Sequence, residues 1–237
     1  MPTAAEAELF RQVERVRALH EERAASVQLA AALDQLAAWQ TRRLNATYAD
    51  LAAEPRYARA TAFFGSDLYG PGDFSRRDAD LARVVPVMRK VLPQGVIATI
   101  AGAMELSALS RELDRALLAK LPAGAALSVA TYCAAYRALG NRDARERQIE
   151  LIVVVGRALD RYVDKPLIRS ALAAMRQPAR VAGLSALQDF LERGFAAFRE
   201  MGGADEFLAT VESRETALMN AIFAGNNHPF PEPDTKP

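Results

Sequence analysis

Cys133 is the only cysteine in the chain, so no intramolecular disulfide can form. It lies in Ala130-Thr131-Tyr132-Cys133-Ala134-Ala135, an apolar setting with no adjacent cation to lower its pKa, and reads as an inert buried thiol. Histidine is almost as scarce, with only His20 and His228. A serine or cysteine triad needs an imidazole, and His228 falls in a proline-rich tail. No Glu-x-x-His pair, His-Glu-x-x-His, Cys-x-x-Cys, phosphate-cradling glycine loop or Gly-x-Ser-x-Gly is present, so no metal or cofactor is expected. Charge of one sign is lacking too. The 30 basic residues stand against 29 acidic ones, which leaves no excess to draw the chain to nucleic acid. Long hydrophobic runs are absent. Glu105 and Arg157 interrupt the longest of them, short of the roughly 20 residues that span a bilayer. The start of the chain, with Glu6 and Glu8, does not resemble a secretory signal, and a cytoplasmic location is expected.

What is there is helical. Hydrophobic residues make up 51% and charged residues 25%, the balance of a globular protein. From Thr3 to Glu54 there is neither proline nor glycine. Thr3 suits an N-cap, with Leu9, Val13 and Val16 as one apolar stripe and Leu29, Leu33 and Leu36 as a second. The polar run His20-Glu21-Glu22-Arg23 predicts a break near residues 22–26 and places His20 at the surface, rather than as the haem ligand that a first-helix histidine can be. Pro55 opens a short helix, Pro93 a long one to Leu121, and Pro122-Ala123-Gly124 ends it. Ala125–Leu139 is small-residue helix. Arg142–Asp164 is apolar nearly all round at Ile149–Val155 and is expected to be the central buried helix, with Glu150 and Arg157 as half-buried charges that need partners elsewhere. Gln177-Pro178, Gly202-Gly203 and Gly225-Asn226-Asn227 mark further breaks. The expected fold is an all-α, bundle-like single domain, residues 1–225, of about nine or ten helices, followed by a flexible tail at 226–237.

The stretch Phe63–Pro86 departs from this background. Gly70-Pro71-Gly72 forces a corner between two helices, and Ser75 with Asp78 resembles a capping box. Asp67, Tyr69, Asp73, Arg77, Asp80 and Arg83 crowd that corner, more polar groups than a turn requires. They read either as a self-satisfied structural knot or as a site using the arginines on an anion, with the carboxylates holding the guanidinium groups. Phe63-Phe64 followed by Asp67-Leu68-Tyr69-Gly70-Pro71, Asp73-Phe74, Arg77-Asp78 and Asp80 resembles a group of bacterial proteins known by an FFLEE motif, over roughly residues 55–93. Gly65-Ser66-Asp67 replaces Leu-Glu-Glu here. The resemblance implies an all-helical bacterial protein and no particular chemistry.

The function expected is therefore non-enzymatic binding of a protein or small molecule at the 67–83 corner. Two alternatives stay open. One is an enzyme or sensor that holds a small apolar or anionic ligand between helices, as helical haem- and thiamin-related folds do. The other is a structural homodimer built on the N-terminal helix.

Overall fold

The computed structural model describes residues 2–68, 70, 72–122 and 126–233, apart from the side chains of Leu68 and Val91. The fold is all-α, with no strand among the described residues. The helices are α1 (Ala4–Ala24), α2 (Val27–Thr47), α3 (Ala49–Ala53), α4 (Pro55–Phe63), α5 (Ser75–Val91), α6 (Gln94–Leu118), α7 (Val129–Leu139), α8 (Arg142–Val163), α9 (Pro166–Ala174), α10 (Arg176–Val181), α11 (Ser185–Met201) and α12 (Asp205–Phe223). A π-helical turn, Phe64–Leu68, continues α4 into the corner.

Local chemistry sets most boundaries. Thr3 caps α1 in a reciprocal box with Glu6, and Ser26 caps α2 where the sequence predicts a break. Ser128 caps α7, and Gly140 ends that helix in a left-handed conformation at φ 66°. Pro178 does not separate two helices. It sits in the first turn of the short α10, where its missing N–H costs nothing.

Three apolar clusters hold the bundle together. Leu9, Val13 and Val16 of α1 pack with Leu81 and Val85 of α5 and Ile97 of α6. The stripe of α1 is thus covered within the chain. Trp39 of α2 stacks on Tyr132 of α7 at 4.8 Å and joins Leu117, Met219 and Ile222. Phe63, Phe198, Phe207 and Leu208 centre the third cluster.

α8 runs through the middle, touching α6, α9, α11 and α12. It buries Leu151, Ile152, Val153, Val155 and Ala158. Its approach to α12 requires a glycine, since a Cβ on Gly156 would meet Leu208 Cδ2 at 2.6 Å.

Three expectations need correction. Glu150 and Arg157 are not half-buried, because α8 turns both outward. Glu150 pairs with Arg147 at 2.7 Å and Arg157 lies 3.7 Å from Asp205, all at the surface. The Ser75–Asp78 capping box does not form: Phe74 is the N-cap of α5, and the Asp73 carboxylate accepts the Ser75 N–H instead at 2.9 Å. His20 is not a surface residue. Its side chain is 11% exposed and bonds Asp78. Of the tail, residues 226–233 are described. Phe230 lies against Trp39 and Tyr132, and Glu232 accepts the Val129 N–H at 2.9 Å.

Candidate functional site

The corner closes on itself. Asp67 accepts from Arg193 Nε at 2.9 Å and Nη2 at 2.6 Å, and from Ser66 Oγ at 2.8 Å. Arg77 donates through Nη1 to the Asp67 carbonyl and through Nε to Asp78 Oδ1, and its guanidinium is flanked by the rings of Phe74 at 4.7 Å and Phe190 at 4.5 Å. Asp73 is held below the usual carboxylate range by hydrogen bonds from Ser75. Asp80 and Arg83 belong to a different neighbourhood. Asp80 is buried with Arg83 Nη1 at 3.8 Å, and Arg83 Nη2 donates to the Ala182 carbonyl. Tyr69 lies outside the described residues.

Asp78 is the hub of this corner. His20 Nε2 approaches its Oδ2 at 2.8 Å, Arg77 donates to Oδ1 at 2.8 Å, and Arg111 Nη2 lies 3.5 Å from Oδ2. Burial pushes the Asp78 carboxyl up, but the bonds from His20 and Arg77 with the charge of Arg111 outweigh it, and its pKa stays below the ordinary value. Burial lowers the Arg111 pKa in spite of Asp78. One carboxylate thus ties α1, α5 and α6.

The most concentrated buried chemistry lies elsewhere. A cavity of about 110 Å³ opens between α2, α6, α7, α8 and α12, and none of Asp67, Asp73, Arg77, Asp80 or Arg83 lines it. Four of the five helices turn a polar or phenolic pair into it at one-turn spacing, Gln40 with Arg43, Ser110 with Asp114, Tyr132 with Tyr136 and Arg145 with Gln148, and α12 adds Glu215. Phe64 and Phe207, with ring centroids 5.5 Å apart, and Phe230 add aromatic walls.

Two charges in the cavity compensate each other. Arg43 Nη1 donates to Glu215 Oε1 at 2.6 Å, and the Tyr48 hydroxyl donates to the same oxygen at 2.8 Å. Burial works against the Arg43 cation, but Glu215 prevails and raises its pKa, while burial and Glu215 together keep Tyr48 protonated. The other two charges make no direct ion pair, although the Arg145 charge draws the Asp114 pKa down against burial. Asp114 accepts from Gln40 Nε2 at 2.9 Å, yet burial still raises its pKa. Arg145 is 6% exposed and has neutral partners, Gln148 Oε1 at 3.1 Å and the face of Tyr136 at 4.4 Å. It makes no ion pair among the described residues, and its Nη2 has no hydrogen-bond partner there. Gln148 in turn donates to Ser110 Oγ at 2.8 Å.

The arrangement offers one guanidinium nitrogen without a partner among the described residues, a carboxyl whose pKa burial raises, and aromatic walls.

Among the described residues no helix is long and apolar enough to cross a membrane, and no group of three or more His, Cys, Asp or Glu could hold a metal ion. No curated protein and no solved structure matches the chain significantly. Residues 19–229, nearly the whole of the bundle, match the family described as a domain of unknown function, DUF8198, and the chain belongs to that family.

Proposed function

We propose that the protein is a non-enzymatic binding protein that holds a small organic monoanion, a short carboxylate, in the cavity between α2, α6, α7, α8 and α12. One observation carries this reading: Arg145 is buried, charged and without a carboxylate partner among the described residues. A buried cation with no carboxylate bonded to it directly is costly, and a ligand carboxylate in the adjacent space can accept from the Arg145 nitrogen that has no partner and so offset that cost.

The surroundings support the same ligand. Gln40 and Ser110 line the same space and carry donors that a ligand carboxylate can use. Tyr132 and Tyr136 offer faces to a short apolar body. At about 110 Å³ the space is smaller than the roughly 150 Å³ cavity that admits benzene, so the fitting ligand has only a few carbons. Kinship with the FFLEE-motif proteins, and with it a bacterial origin and a cytoplasmic setting, belongs to this proposal. In it the 67–83 corner serves as scaffold, because its charges already have partners.

A thermal-shift series from acetate to hexanoate, with benzoate as the aromatic member, tests the reading. The expected result is a melting temperature that rises with ligand concentration and peaks within the series. A flat response to every member would refute it.

A further inference from the structure

A second cavity, a groove of about 690 Å³, lies between α9 and α11, with Arg59 of α4 also lining it. Five arginines line it, Arg59, Arg169, Arg176, Arg193 and Arg199, against two carboxylates, Asp189 and Glu192. Three of the five already have carboxylate partners, which leaves Arg169 and Arg199. Glu192 is taken by Arg176 Nε at 2.6 Å, Arg193 reaches away to Asp67, and Arg59 lies 3.4 Å from Glu200. Arg169 and Arg199 make no side-chain hydrogen bond or ion pair among the described residues.

The groove is built rather than incidental. Gln188, 7% exposed, donates to the Leu172 carbonyl and to Glu192, both at 2.8 Å, and so clips the end of α9 to α11. Beyond that clip α9 stands off from the bundle. None of its own residues is buried, and Arg169 of α9 and Arg199 of α11 both line the gap. A multivalent anion between two such unpaired cations is favoured electrostatically. Leu167 of α9 is 82% and Val181 of α10 88% exposed.

We propose that this groove binds a phosphate-bearing anion of two or more charges, with Arg169 and Arg199 as its principal donors. Planar guanidinium forks match phosphoryl oxygens, and a doubly charged phosphate matches two arginines that have no carboxylate partner. The exposed apolar side chains of Leu167 on α9 and Val181 on α10 make the headgroup of an anionic lipid as fitting a source as a free phosphate ester. The site is independent of the carboxylate cavity.

The experiment has two arms, each run on the wild-type chain and on the double variant R169Q/R199Q, whose altered side chains have no partners to lose. Calorimetric titration with inorganic pyrophosphate at low salt reads the free-phosphate source. Co-sedimentation with phosphatidylcholine vesicles, with and without phosphatidic acid, reads the headgroup source. Saturable wild-type binding in either arm, weakened at least tenfold in the double variant, is the expected result. Pyrophosphate binding without sedimentation assigns a soluble phosphate ester, and sedimentation that needs phosphatidic acid assigns a headgroup. Absence of binding in both arms, or equal binding by the variant, overturns the proposal.

Discussion

Replacing Asp78 by Asn removes one negative charge from the point where α1, α5 and α6 meet. The side chain is 5% exposed and faces His20, Arg77 and Arg111. Asn keeps the shape, but its amide turns a donor toward groups that are donors already. Arg111 Nε lacks a partner among the described residues even in the native protein, so little is at hand to take over. Breaking a buried pair from one side costs about 3–5 kcal/mol. For a domain of this size each kcal/mol moves the melting temperature by about 2–4 °C, so D78N melts roughly 6–20 °C below the wild type. Arg83, 60% exposed and tied only to Asp80 and a carbonyl, sets the contrast, with R83A within about 1 kcal/mol.

The effect depends on pH in a defined direction. The folded-state pKa of Asp78 is depressed, so its stabilisation is present above the ordinary carboxylate pKa and is lost as pH falls through the depressed value. D78N therefore differs most from wild type at neutral pH, and the two converge below about pH 4. Circular-dichroism melts from pH 3 to 8 measure both quantities. A D78N loss under about 1 kcal/mol at pH 7 would show that the knot is not what binds these helices together.

Asp114 has the opposite sign. Its folded pKa is raised, so the ionised form weakens the fold, and D114N gains about 1 kcal/mol in urea unfolding at pH 8 while the gain vanishes near pH 4. G156A forces a methyl group toward Leu208 and loses about 1–3 kcal/mol, read in the same assay. Cys133 is fully buried with its pKa pushed up to about 11, so a disulfide thiol reagent at pH 8 modifies it only after denaturant is added.

Where helices begin and end was legible because caps and breakers act locally. Ser26, Pro55, Gly140 and the Asp205–Phe223 span all fall where short-range chemistry places them. His20 shows the limit of that reasoning. Its sequence neighbours Glu21, Glu22 and Arg23 suggest solvent, but it continues the stripe Leu9, Val13, Val16 at helical spacing, and the stripe decides where it points. Asp78 was misread as a cap for a related reason. A carboxylate three residues into a helix can reach back to the N-cap or outward to another helix, and cations on α1 and α6 are visible only once the chain is folded. The carboxylate cavity was still less legible. Arg145 on α8 and Asp114 on α6 are unremarkable helix residues in the sequence, and their meaning arises from five helices converging on one space.

The central claim, that Arg145 awaits an anion, is tested most directly by titrating the wild type and R145M calorimetrically with the carboxylate that gives the largest thermal shift. Methionine fills the same volume without the charge. The account predicts that R145M keeps a melting temperature near or above that of the ligand-free wild type, because a buried cation with no carboxylate bonded to it directly is gone, while its affinity for the carboxylate falls at least tenfold. An R145M that binds the carboxylate as tightly as wild type would contradict it. So would an R145M that loses 3 kcal/mol or more of stability, about what breaking a structural pair costs.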